Sequence, residues 1–499
     1  MNQITSSYLA FDLGAESGRA VLGLYDGRKL TLEEVARFPN GPHPIQNTLR
    51  WDPFGLFASI KQAIRKAFQP PHKPPSSIGL DTWGVDYGLL DEYGQLLDPP
   101  FHYRDSRTNG IMERTFQLVP REEIFRFTGI QFMQFNTLFQ LMAMKFQGAP
   151  ELEKAATLLM MPDLFNYWLT GRMACERTIA STSQCYDPRT RQWAYPLLER
   201  LGLPTGIFTE IIAPGSVLDP IKTDLAATLG IPIIPIIAPG CHDTASAVAA
   251  VPVDEQHERD FAYISSGTWS LIGAEILEPV IHQESLAFNM TNECGVQNTI
   301  RFLKNLGGLW LVQECRRSWK EQGEDLSYDD LTLMAAEAPP FQCLVDPDDS
   351  LFLAPGDMPS RFQEYCRRTG QKAPESKGGM VRCALESLAL KTRWVIDRLE
   401  ILLQRRLPAI HIVGGGTQNC LLNQFIAEAA GRPIDAGPVE ATAIGNILLQ
   451  MLAQGRISSL REGRDLVRKS FPVDTYEPEN TKAWEEAYQR FQSRLSGRV

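Results

Sequence analysis

The sequence predicts an α/β protein made of two similar lobes, one in each half of the chain. A local pattern occurs twice: residues 8–23 and 262–273 each form an apolar strand, a tight turn of small residues and a second strand. The chain has 499 residues, which exceeds the usual size of a single core. We therefore expect two domains, 1–250 and 251–499, with the break in the polar stretch 254–260.

The first half begins with three predicted strands. The hairpin at 8–23 is followed by a turn signal at 26–29, and residues 30–38 alternate enough to form a third antiparallel strand. Pro53 suits the first turn of a helix, and the residues after it carry an apolar stripe (Phe54, Leu56, Phe57, Ile60, Ile64 and Phe68). The other elements that we predict here are a strand over 77–84, mostly helices over 110–200, a strand over 231–237 and a helix from Asp243.

The second half repeats the hairpin and then adds helices. We predict helices over about 305–320 and 378–404, a strand over 409–413, and a helix over 418–430 that Gly431 ends. Three strands, a helix and a further strand fit the ribonuclease-H-like core that sugar kinases, actin and Hsp70 share. The predicted fold class is thus α/β, with two ribonuclease-H-like lobes around a central nucleotide cleft.

Composition narrows the possible partners. The net charge of −10 argues against a general nucleic-acid or anionic-membrane binder, although a few local amides can still hold a nucleotide. The nine cysteines are scattered without a Cys-x-x-Cys pair, which favours buried free thiols. No signal peptide is visible, and prolines interrupt the most apolar stretch, 231–238. We expect a cytoplasmic monomer or homodimer that binds neither nucleic acid nor membrane.

Both hairpin turns have the composition of an anion site. Each combines Gly with Ser or Thr, so backbone N–H groups and hydroxyls can point at one small anion. Two such turns suggest a polyphosphate and hence an ATP-using protein. Asp12 ends the first strand and could anchor hydrated Mg²⁺, or it could be a turn aspartate bonded to its own backbone. Arg19 could contact phosphate or simply occupy a strand face.

Asp243 is the candidate general base. It lies where a buried strand turns into an Ala-rich helix, so it could equally be an N-cap, and the two roles are compatible. Capping would lower its pKa through the helix dipole. In a loose phosphoryl-transfer transition state the hydroxyl proton leaves late, so positioning matters more than basicity. His242 could bond a substrate hydroxyl or be a structural histidine in the turn.

Three further segments suggest ligand contacts. The glycine triplet 414–416 would let an adenine or ribose lie against the backbone, but it lacks a dinucleotide fingerprint, and the sequence has no P-loop. Asn305 and Gln313, eight residues apart, would share a helical face and present amides to a nucleotide, or be an N-cap and a half-exposed glutamine. Segments 81–86 and 103–107 suit a polyol pocket. Alternatively, Arg104–Asp105 is a structural pair and Trp83 is core.

Taken together, the motifs resemble the FGGY carbohydrate kinases, in the family's order from about residue 8 to 450. The segments that carry the resemblance are 10–19, 81–86, 103–110, 129–132, 242–247, 265–271 and 414–423. The resemblance implies that Asp243 is the catalytic base. The implied ATP contacts are Ala15, Glu16, Ser17, Gly18, Arg19, Thr268, Asn305, Gln313 and Gly415, and the implied sugar contacts are Gly84, His242, Asp243 and Thr244. Glu16 departs from the family pattern, in which we expect a small residue.

The resemblance also implies a reaction. It is transfer of the γ-phosphoryl group from ATP, with Mg²⁺, to the 1-hydroxyl of L-rhamnulose during rhamnose catabolism. The nearest alternative is the same chemistry on L-fuculose or L-xylulose, because sugar epimers differ only in single hydroxyl positions. Further alternatives are an actin- or Hsp70-like ATPase module, which would need no base at Asp243, and a catalytically silent sugar sensor.

Overall fold

A computed structural model describes residues 5–254 and 260–496 of the chain, which divide into two compact units. The first unit comprises Met1–Ala250, Glu275–Phe302 and Ala441–Phe471; the second comprises Val251–Ala274, Leu303–Glu440 and Pro472–Val499. Of the polar stretch in which we expect the domain break, residues 255–259 lie outside the described residues. The expected division into 1–250 and 251–499 stays a prediction.

The strands are numbered in chain order. They are β1 Ser6–Leu13, β2 Ser17–Tyr25, β3 Leu30–Pro39, β4 His43–Ile45, β5 Thr48–Arg50, β6 Ile78–Thr82, β7 Tyr87–Leu90, β8 Thr157–Met160, β9 Cys175–Glu176, β10 Tyr186–Asp187, β11 Gln192–Trp193, β12 Ile211–Ile212, β13 Ser216–Pro220, β14 Pro235–Ala238, β15 Phe261–Ser266, β16 Trp269–Ile276, β17 Thr291–Cys294, β18 Ile300–Gly307, β19 Ala409–Val413, β20 Ile434–Ala436 and β21 Asp474–Tyr476.

The helices follow the same convention. They are α1 Pro53–Ala67, α2 Ile111–Phe116, α3 Arg121–Thr128, α4 Thr137–Gln147, α5 Pro150–Lys154, α6 Met161–Thr170, α7 Arg177–Thr182, α8 Tyr195–Arg200, α9 Thr223–Leu229, α10 Asp243–Ala249, α11 Gln283–Ala287, α12 Trp310–Glu321, α13 Tyr328–Glu337, α14 Met358–Arg368, α15 Lys377–Leu403, α16 Cys420–Ala430, α17 Ala441–Ala453, α18 Leu460–Ser470 and α19 Thr481–Ser496. Short 3₁₀ helices occupy Ser106–Thr108, Thr205–Ile207, Ser350–Phe352 and Gly415–Gln418.

The first unit is built on a six-stranded sheet with the order β13-β14-β6-β1-β2-β3. β1 pairs antiparallel with β2 and parallel with β6, and all eight of its residues are buried. That central position explains why β1 is apolar without alternation, since both of its faces are covered. β14 pairs parallel with β6, so the carboxyl ends of β1, β6 and β14 lie at one edge.

Helix α17 belongs to the first unit although it lies late in the sequence. Gly445 packs directly on α10, where a Cβ atom would overlap the Ser246 carbonyl oxygen. The buried Gln450 amide donates to the Leu9 carbonyl oxygen (3.1 Å) and to Asn446 Oδ1 (2.8 Å). This polar network fixes α17 against β1 and leaves the Asn446 amide N–H₂ pointing at β6, as described below.

The second unit contains a sheet in which β18, β16, β15, β19, β20 and β21 are neighbours in that order. β15 and β16 form an antiparallel hairpin, and β19 and then β20 continue the sheet in parallel on the β15 side. In the first unit, β1, β2, β6 and β14 have the same arrangement. The predicted fold class of two related α/β lobes is confirmed.

Some predicted boundaries are wrong. The helix expected over 305–320 begins at Trp310, because residues 300–307 form β18. The strand expected over 231–237 is confined to Pro235–Ala238, since Pro232 and Pro235 interrupt the backbone donors and Ile233 is exposed. Phe54 is 59% exposed and packs on Trp168, so it is not part of the buried stripe of α1.

Other expectations are met. The strand over 409–413, the helix over 378–404 and the end of α16 at Gly431 all agree with the structure to within one residue. All nine cysteines are free, and Cys420 alone is exposed. Within residues 5–254 and 260–496, no helix is both long and apolar enough to cross a membrane.

Candidate active site

The first hairpin places a charged pair at the end of β1. Asp12 and Arg19 are opposite each other in the β1–β2 ladder, and Arg19 Nη2 donates to Asp12 Oδ2 at 2.6 Å. Asp12 is buried, and Arg19 is half-buried. Asp12 therefore lies in the strand and bonds across it, so it is not a turn aspartate bonded to its own backbone. Arg19 lies on the strand face, and its Nη2 group is bonded to the carboxylate.

The turn between β1 and β2 is fixed from outside by Asn40. The Gly14 N–H donates to the Ser17 carbonyl oxygen at 2.9 Å, which closes the turn. The Asn40 N–H and side-chain amide then donate to the carbonyl oxygens of Glu16 (3.1 Å) and Gly14 (2.7 Å). Ala15 and Ser17 are half-buried, Gly18 is buried and Glu16 is exposed. The exposure of Glu16 explains how a carboxylate is tolerated in this turn.

Asp81, at the end of the neighbouring strand β6, adds a second carboxylate. It is paired with Asp12 in the β1–β6 register and is fully buried. Asn446 Nδ2 donates to Asp81 Oδ2 at 2.6 Å, whereas Oδ1 has no hydrogen-bond partner in the described residues. Burial raises the pKa of Asp81, and the nearby charges of Asp12 and Asp243 raise it further. Three carboxylates thus share one edge of the sheet.

These carboxylates fit a hydrated Mg²⁺ ion. Mg²⁺ prefers oxygen ligands, keeps several waters and uses only one or two carboxylates. Asp12 supplies such oxygens, and the unpartnered Asp81 Oδ1 can accept from a bound water. No group of three or more His, Cys, Asp or Glu side chains in residues 5–254 and 260–496 is arranged to hold a metal directly. The donor set therefore suits an ion held largely through water.

Asp243 is the first residue of α10, and the N-cap is His242. Thr244 donates to Asp243 Oδ1 through its N–H (2.5 Å) and its hydroxyl (3.0 Å), whereas Oδ2 accepts no hydrogen bond from the described residues. The side chain is 29% exposed. The expected capping role is wrong, because the chain enters the helix one residue earlier. The expected lowering of the pKa is also wrong: burial raises it, and the charge of Asp12 adds to the rise.

His242 is held on both sides. Its backbone N–H donates to Thr178 Oγ1 at 3.1 Å, and its ring nitrogen Nδ1 lies 2.9 Å from Arg301 Nη2. The other ring nitrogen, Nε2, lies 3.4 Å from Asp243 Oδ1. The ring is buried, so its contacts fix its orientation beside the carboxylate.

A buried carboxylate supports this segment from behind. Glu176 precedes α7 and accepts from the N–H groups of Thr178 (2.9 Å) and Cys241 (3.0 Å). It also accepts from the Thr178 hydroxyl at 2.5 Å. Because Cys241 directly precedes His242, Glu176 fixes the backbone that carries His242 and Asp243. No sequence pattern indicates this role, because the contact joins residues 65 positions apart.

Gly84 approaches α7 closely. A Cβ atom at Gly84 would lie 3.2 Å from three atoms of the Thr182 side chain. The next residue, Val85, has a positive φ of 67°, and its N–H donates to Thr182 Oγ1 at 3.0 Å. The lack of a side chain at 84 therefore serves packing, and it also leaves the half-buried backbone of Gly84 uncovered.

Asp86 organises an aromatic core. Its Oδ2 accepts from the indole N–H groups of Trp51 (2.6 Å) and Trp83 (3.0 Å) and from the Tyr103 N–H (3.2 Å); Gln140 donates to Oδ1 at 2.8 Å. The two indole rings lie 4.0 Å apart. Burial raises the pKa of Asp86 to about 6. Trp83 and Asp86 are thus buried core residues, as the alternative for Trp83 had it, and the polyol pocket expected over 81–86 and 103–107 stays a prediction.

Asp105 likewise serves the backbone. It accepts from the N–H groups of Arg107 (2.9 Å) and Leu49 (2.7 Å). It therefore caps a 3₁₀ turn and ties in β5. These backbone contacts, and not the alternative of a structural Arg104–Asp105 pair, hold Asp105 in place.

In the second unit, the turn of the second hairpin is tied to the start of α12. The Thr268 carbonyl oxygen accepts from the N–H groups of Gly308 (3.1 Å) and Trp310 (3.2 Å), and the Gly267 carbonyl oxygen accepts from Leu309 (3.0 Å). A Cβ atom at Gly308 would lie 2.6 Å from Ser270 Oγ, so only glycine allows this approach. Thr268 is half-buried at the end of the turn.

Asn305 and Gln313 do not share a helical face. Asn305 lies in β18, whereas Gln313 lies in the first turns of α12, on the other side of the segment that binds the Thr268 turn. The N-cap reading of Asn305 is wrong for the same reason. Both residues are half-buried, and Gln313 Oε1 has no hydrogen-bond partner in the described part of the chain. An apolar run interrupted by single amides fitted a helix as well as a strand.

The glycine triplet packs against the second hairpin. Gly414 has a φ of 90°, and a Cβ atom there would lie 3.0 Å from the Ser266 carbonyl oxygen. Gly416 approaches the same serine, and a Cβ atom would lie 2.5 Å from Ser266 Cβ. Gly415 differs, because its Cβ position meets no atom within 4 Å and the residue is exposed. Gly415 therefore offers bare backbone at the surface of this unit.

Comparison with known proteins assigns the class. Residues 7–250 match the model of the N-terminal domain of the FGGY family of carbohydrate kinases, and residues 262–454 match that of its C-terminal domain. The chain belongs to the FGGY family of carbohydrate kinases, and it is a phosphotransferase with an alcohol acceptor.

Individual relatives within this family carry more specific names. A rhamnulokinase from Bacteroides thetaiotaomicron is 44% identical over 98% of this chain and 99% of its own length. A rhamnulokinase from Oceanobacillus iheyensis is 40% identical over 94% of this chain and 97% of its own length. The crystal structure of a gluconate kinase from Lactobacillus acidophilus shares the fold, with a TM-score of 0.81 at 18% identity over 99% of this chain and 98% of that one.

Proposed function

We propose that this chain transfers the γ-phosphoryl group of ATP to the 1-hydroxyl of L-rhamnulose, giving L-rhamnulose 1-phosphate and ADP, as a cytoplasmic step of rhamnose breakdown. The names of the relatives that match nearly the whole chain support the ketose. The mechanism rests on the hydrogen bonding of the Asp243 carboxylate. One carboxylate oxygen is fixed by Thr244 and the other has no hydrogen bond within the described residues.

The free oxygen of Asp243 suits a general base. As the ketose O1 forms its bond to the γ-phosphorus, the bond from that phosphorus to the β–γ bridging oxygen breaks and ADP leaves. The proton of the 1-hydroxyl passes to Asp243 Oδ2. Thr244 holds the opposite oxygen, so the carboxylate plane is set before substrate arrives. The raised pKa of Asp243 makes it a better proton acceptor once it is ionised.

The ketose contacts that we propose surround this carboxylate in the first unit. They are the half-buried backbone of Gly84 and the side chains of His242 and Thr244. Glu176 and α7 bind the backbone N–H groups of Cys241 and His242, which supports the placement of His242. Hydrogen-bond donors fixed on a rigid frame favour one arrangement of sugar hydroxyls over its epimers.

The proposed ATP contacts come from the turn of the first hairpin and from several elements of the second unit. Ala15, Glu16, Ser17, Gly18 and Arg19 are proposed to contact phosphate, and Thr268, Asn305, Gln313 and Gly415 the rest of the nucleotide. The unpartnered Gln313 Oε1 and the bare backbone of Gly415 support the second set. Asp12 would hold Mg²⁺ through water, and the ion would neutralise charge on the phosphate oxygens. In domain terms, residues 1–250 would carry the sugar site and the base, and 251–499 the adenine nucleotide site.

The test is ADP release by the full chain with Mg²⁺ and ATP, comparing L-rhamnulose, L-fuculose, L-xylulose and no sugar. We expect strong turnover with L-rhamnulose alone, and a product whose phosphorus couples to the C1 protons in NMR spectra. Preference for another ketose would keep the kinase and overturn the substrate. Equal ATP turnover without sugar would overturn the whole proposal in favour of an ATPase.

A further inference from the structure

A fully buried arginine contacts the ring of His242. Arg301 lies in β18 and is 0% exposed. Its Nη2 lies 2.9 Å from His242 Nδ1 and donates to Glu293 Oε2 at 3.0 Å, while Nε donates to the Cys294 carbonyl oxygen at 3.1 Å. Its Nη1 has no hydrogen-bond partner in the described residues. A buried guanidinium with an unsatisfied N–H₂ group is costly, so a role beyond packing is expected.

The chemistry of the guanidinium decides the protonation of the imidazole. A guanidinium only donates hydrogen bonds, so His242 Nδ1 must accept from Arg301, and the single proton of the neutral ring then resides on Nε2. Glu293 Oε2 lies 3.3 Å from the same Nδ1 and would favour the opposite tautomer. Arg301 is nearer to Nδ1 than Glu293 is, and its charge offsets that of the glutamate.

The tautomer matters for the base. His242 Nε2 lies 3.4 Å from Asp243 Oδ1, so an Nε2–H group is a donor next to the carboxylate. The opposite tautomer would bring a lone pair against the carboxylate and repel it. A doubly protonated ring would require a proton on Nδ1, where an Arg301 N–H already lies. The groups that face the ring are Arg301, Glu293 and Asp243. Arg301 and Asp243 both favour a proton on Nε2, Glu293 opposes them, and Arg301 lies nearest to a ring nitrogen.

We propose that Arg301 and its counter-ion Glu293 are positioning residues that hold His242 neutral with its proton on Nε2, so that it donates towards Asp243 and the ketose hydroxyls. Glu293 compensates the buried charge of Arg301, and Arg301 sets the tautomer. The consequence for turnover rests on the proposed function, because Asp243 is the base there. The tautomer itself does not depend on which sugar is phosphorylated.

The direct test is ¹⁵N NMR of the full chain with selectively labelled histidines and no sugar present. The chain has seven histidines, and H242Q identifies the signals of His242 by their loss. We expect Nδ1 to resonate in the unprotonated range and Nε2 in the protonated range. A proton on Nδ1, or on both nitrogens, would overturn the proposal. This result stands whether or not L-rhamnulose proves to be the substrate.

Variants then separate the effects of Glu293 and Arg301 on the His242 tautomer. In E293Q we expect the His242 signals to keep the same tautomer, because Arg301 remains; a switch would show that the glutamate sets it and would overturn the assignment. In R301M we expect the proton to move to Nδ1, which then donates to Glu293. The matched control is R464M. Arg464 is another buried arginine of this unit, paired with Glu275 at 2.5 Å, and its loss should leave the His242 tautomer unchanged.

Turnover tests whether Arg301 acts through His242. With the best ketose, R301M should lower kcat about tenfold or more while the KM for ATP stays unchanged, on the scale of lost outer-shell support. In the H242Q background, R301M should cost little further, because the histidine through which it acts is absent. Equal losses in both backgrounds would overturn the proposal. Normal kcat in D243N would instead reject the proposed base and leave the NMR result standing.

Discussion

The two hairpins share one backbone plan and differ in charge. In each, an antiparallel pair is flanked on its first strand by a parallel strand. At the first, Asp12 faces Arg19 one pair below the turn; at the second, the equivalent pair is Ser265 with Leu271. The backbone arrangement is repeated, but of these two hairpins only the first carries a charged pair at this position.

The surroundings sharpen this difference. The first hairpin adjoins two further carboxylates, Asp81 and Asp243, whose pKa values are raised by burial and by the charge of Asp12. The second adjoins the glycine triplet, which packs on Ser266 and presents neutral backbone. Under the proposed function, the two copies of the fold have different roles, with proton transfer and metal binding in the first and neutral nucleotide contacts in the second.

The largest expected effect is at Asp243. D243N removes the proton acceptor while keeping a side chain of the same shape, so we expect kcat to fall by about 10²-fold or more. D224N is the control, because Asp224 is also in the first turn of a seven-residue helix but is exposed. Initial-rate ADP release measures both. Near-normal kcat in D243N would show that Asp243 is not the general base.

Asp12 should affect both the metal and the base. In D12N we expect the Mg²⁺ concentration for half-maximal rate to rise about tenfold, as for lost metal support. The charge of Asp12 raises the pKa of Asp243, so its removal should lower that pKa. The acid limb of the kcat/KM profile should therefore move to lower pH in D12N. An unchanged metal requirement together with an unchanged acid limb would contradict this.

Two adjacent glycines beside the second hairpin, Gly415 and Gly416, should respond differently to substitution by alanine. A Cβ at Gly415 meets no atom, so G415A should fold with normal stability and raise the KM for ATP severalfold if nucleotide lies on this backbone. A Cβ at Gly416 would overlap Ser266, so G416A should cost about 1–3 kcal/mol of stability. Thermal unfolding and initial rates measure the two. Equal unfolding temperatures for both variants would contradict the packing.

A separate effect, on the pH dependence of stability and not on turnover, concerns the structural carboxylate Asp86. Its pKa of about 6 in the fold exceeds the ordinary value of 3.8, so the folded state binds the proton more tightly. Its contribution to stability is therefore full below about pH 4 and is lost as pH rises through 6, by about 3 kcal/mol in total. D86N should lack this fall.

Urea unfolding midpoints at several pH values, compared between D86N and the unmutated chain, isolate the Asp86 contribution from those of other carboxylates. Parallel pH curves for the two proteins would mean that Asp86 does not take up a proton in the fold.

The fold was largely predictable because its signals are local. The strand over 409–413 and the helix over 378–404 follow from unbroken patterns bounded by glycine or proline. The structure of residues 300–313 was not predictable, because an apolar run with isolated amides suits a strand and a helix equally. A one-residue shift at the start of α10 also separates an N-cap from a first helical residue, and short-range patterns do not resolve it.

The site was predictable only in part. Asp12 and Asp243 lie in local motifs that sequence patterns single out. The residues that bind their neighbours Asp81 and His242 do not lie in such motifs. Asn446 contacts Asp81 from 365 positions away, and Arg301 contacts His242 from 59 positions away. Arg301 also lies within a strand buried on both faces, where alternation gives no sign that its charged side chain turns towards His242.

The most direct test of the division between the two hairpins is one kinetic experiment on two variants. Initial rates of D243N and G415A are measured while ATP and L-rhamnulose are varied independently. We expect D243N to lose kcat with an unchanged KM for ATP, and G415A to raise the KM for ATP with kcat nearly unchanged. A raised KM for ATP in D243N with normal kcat, or a lost kcat in G415A, would contradict the division.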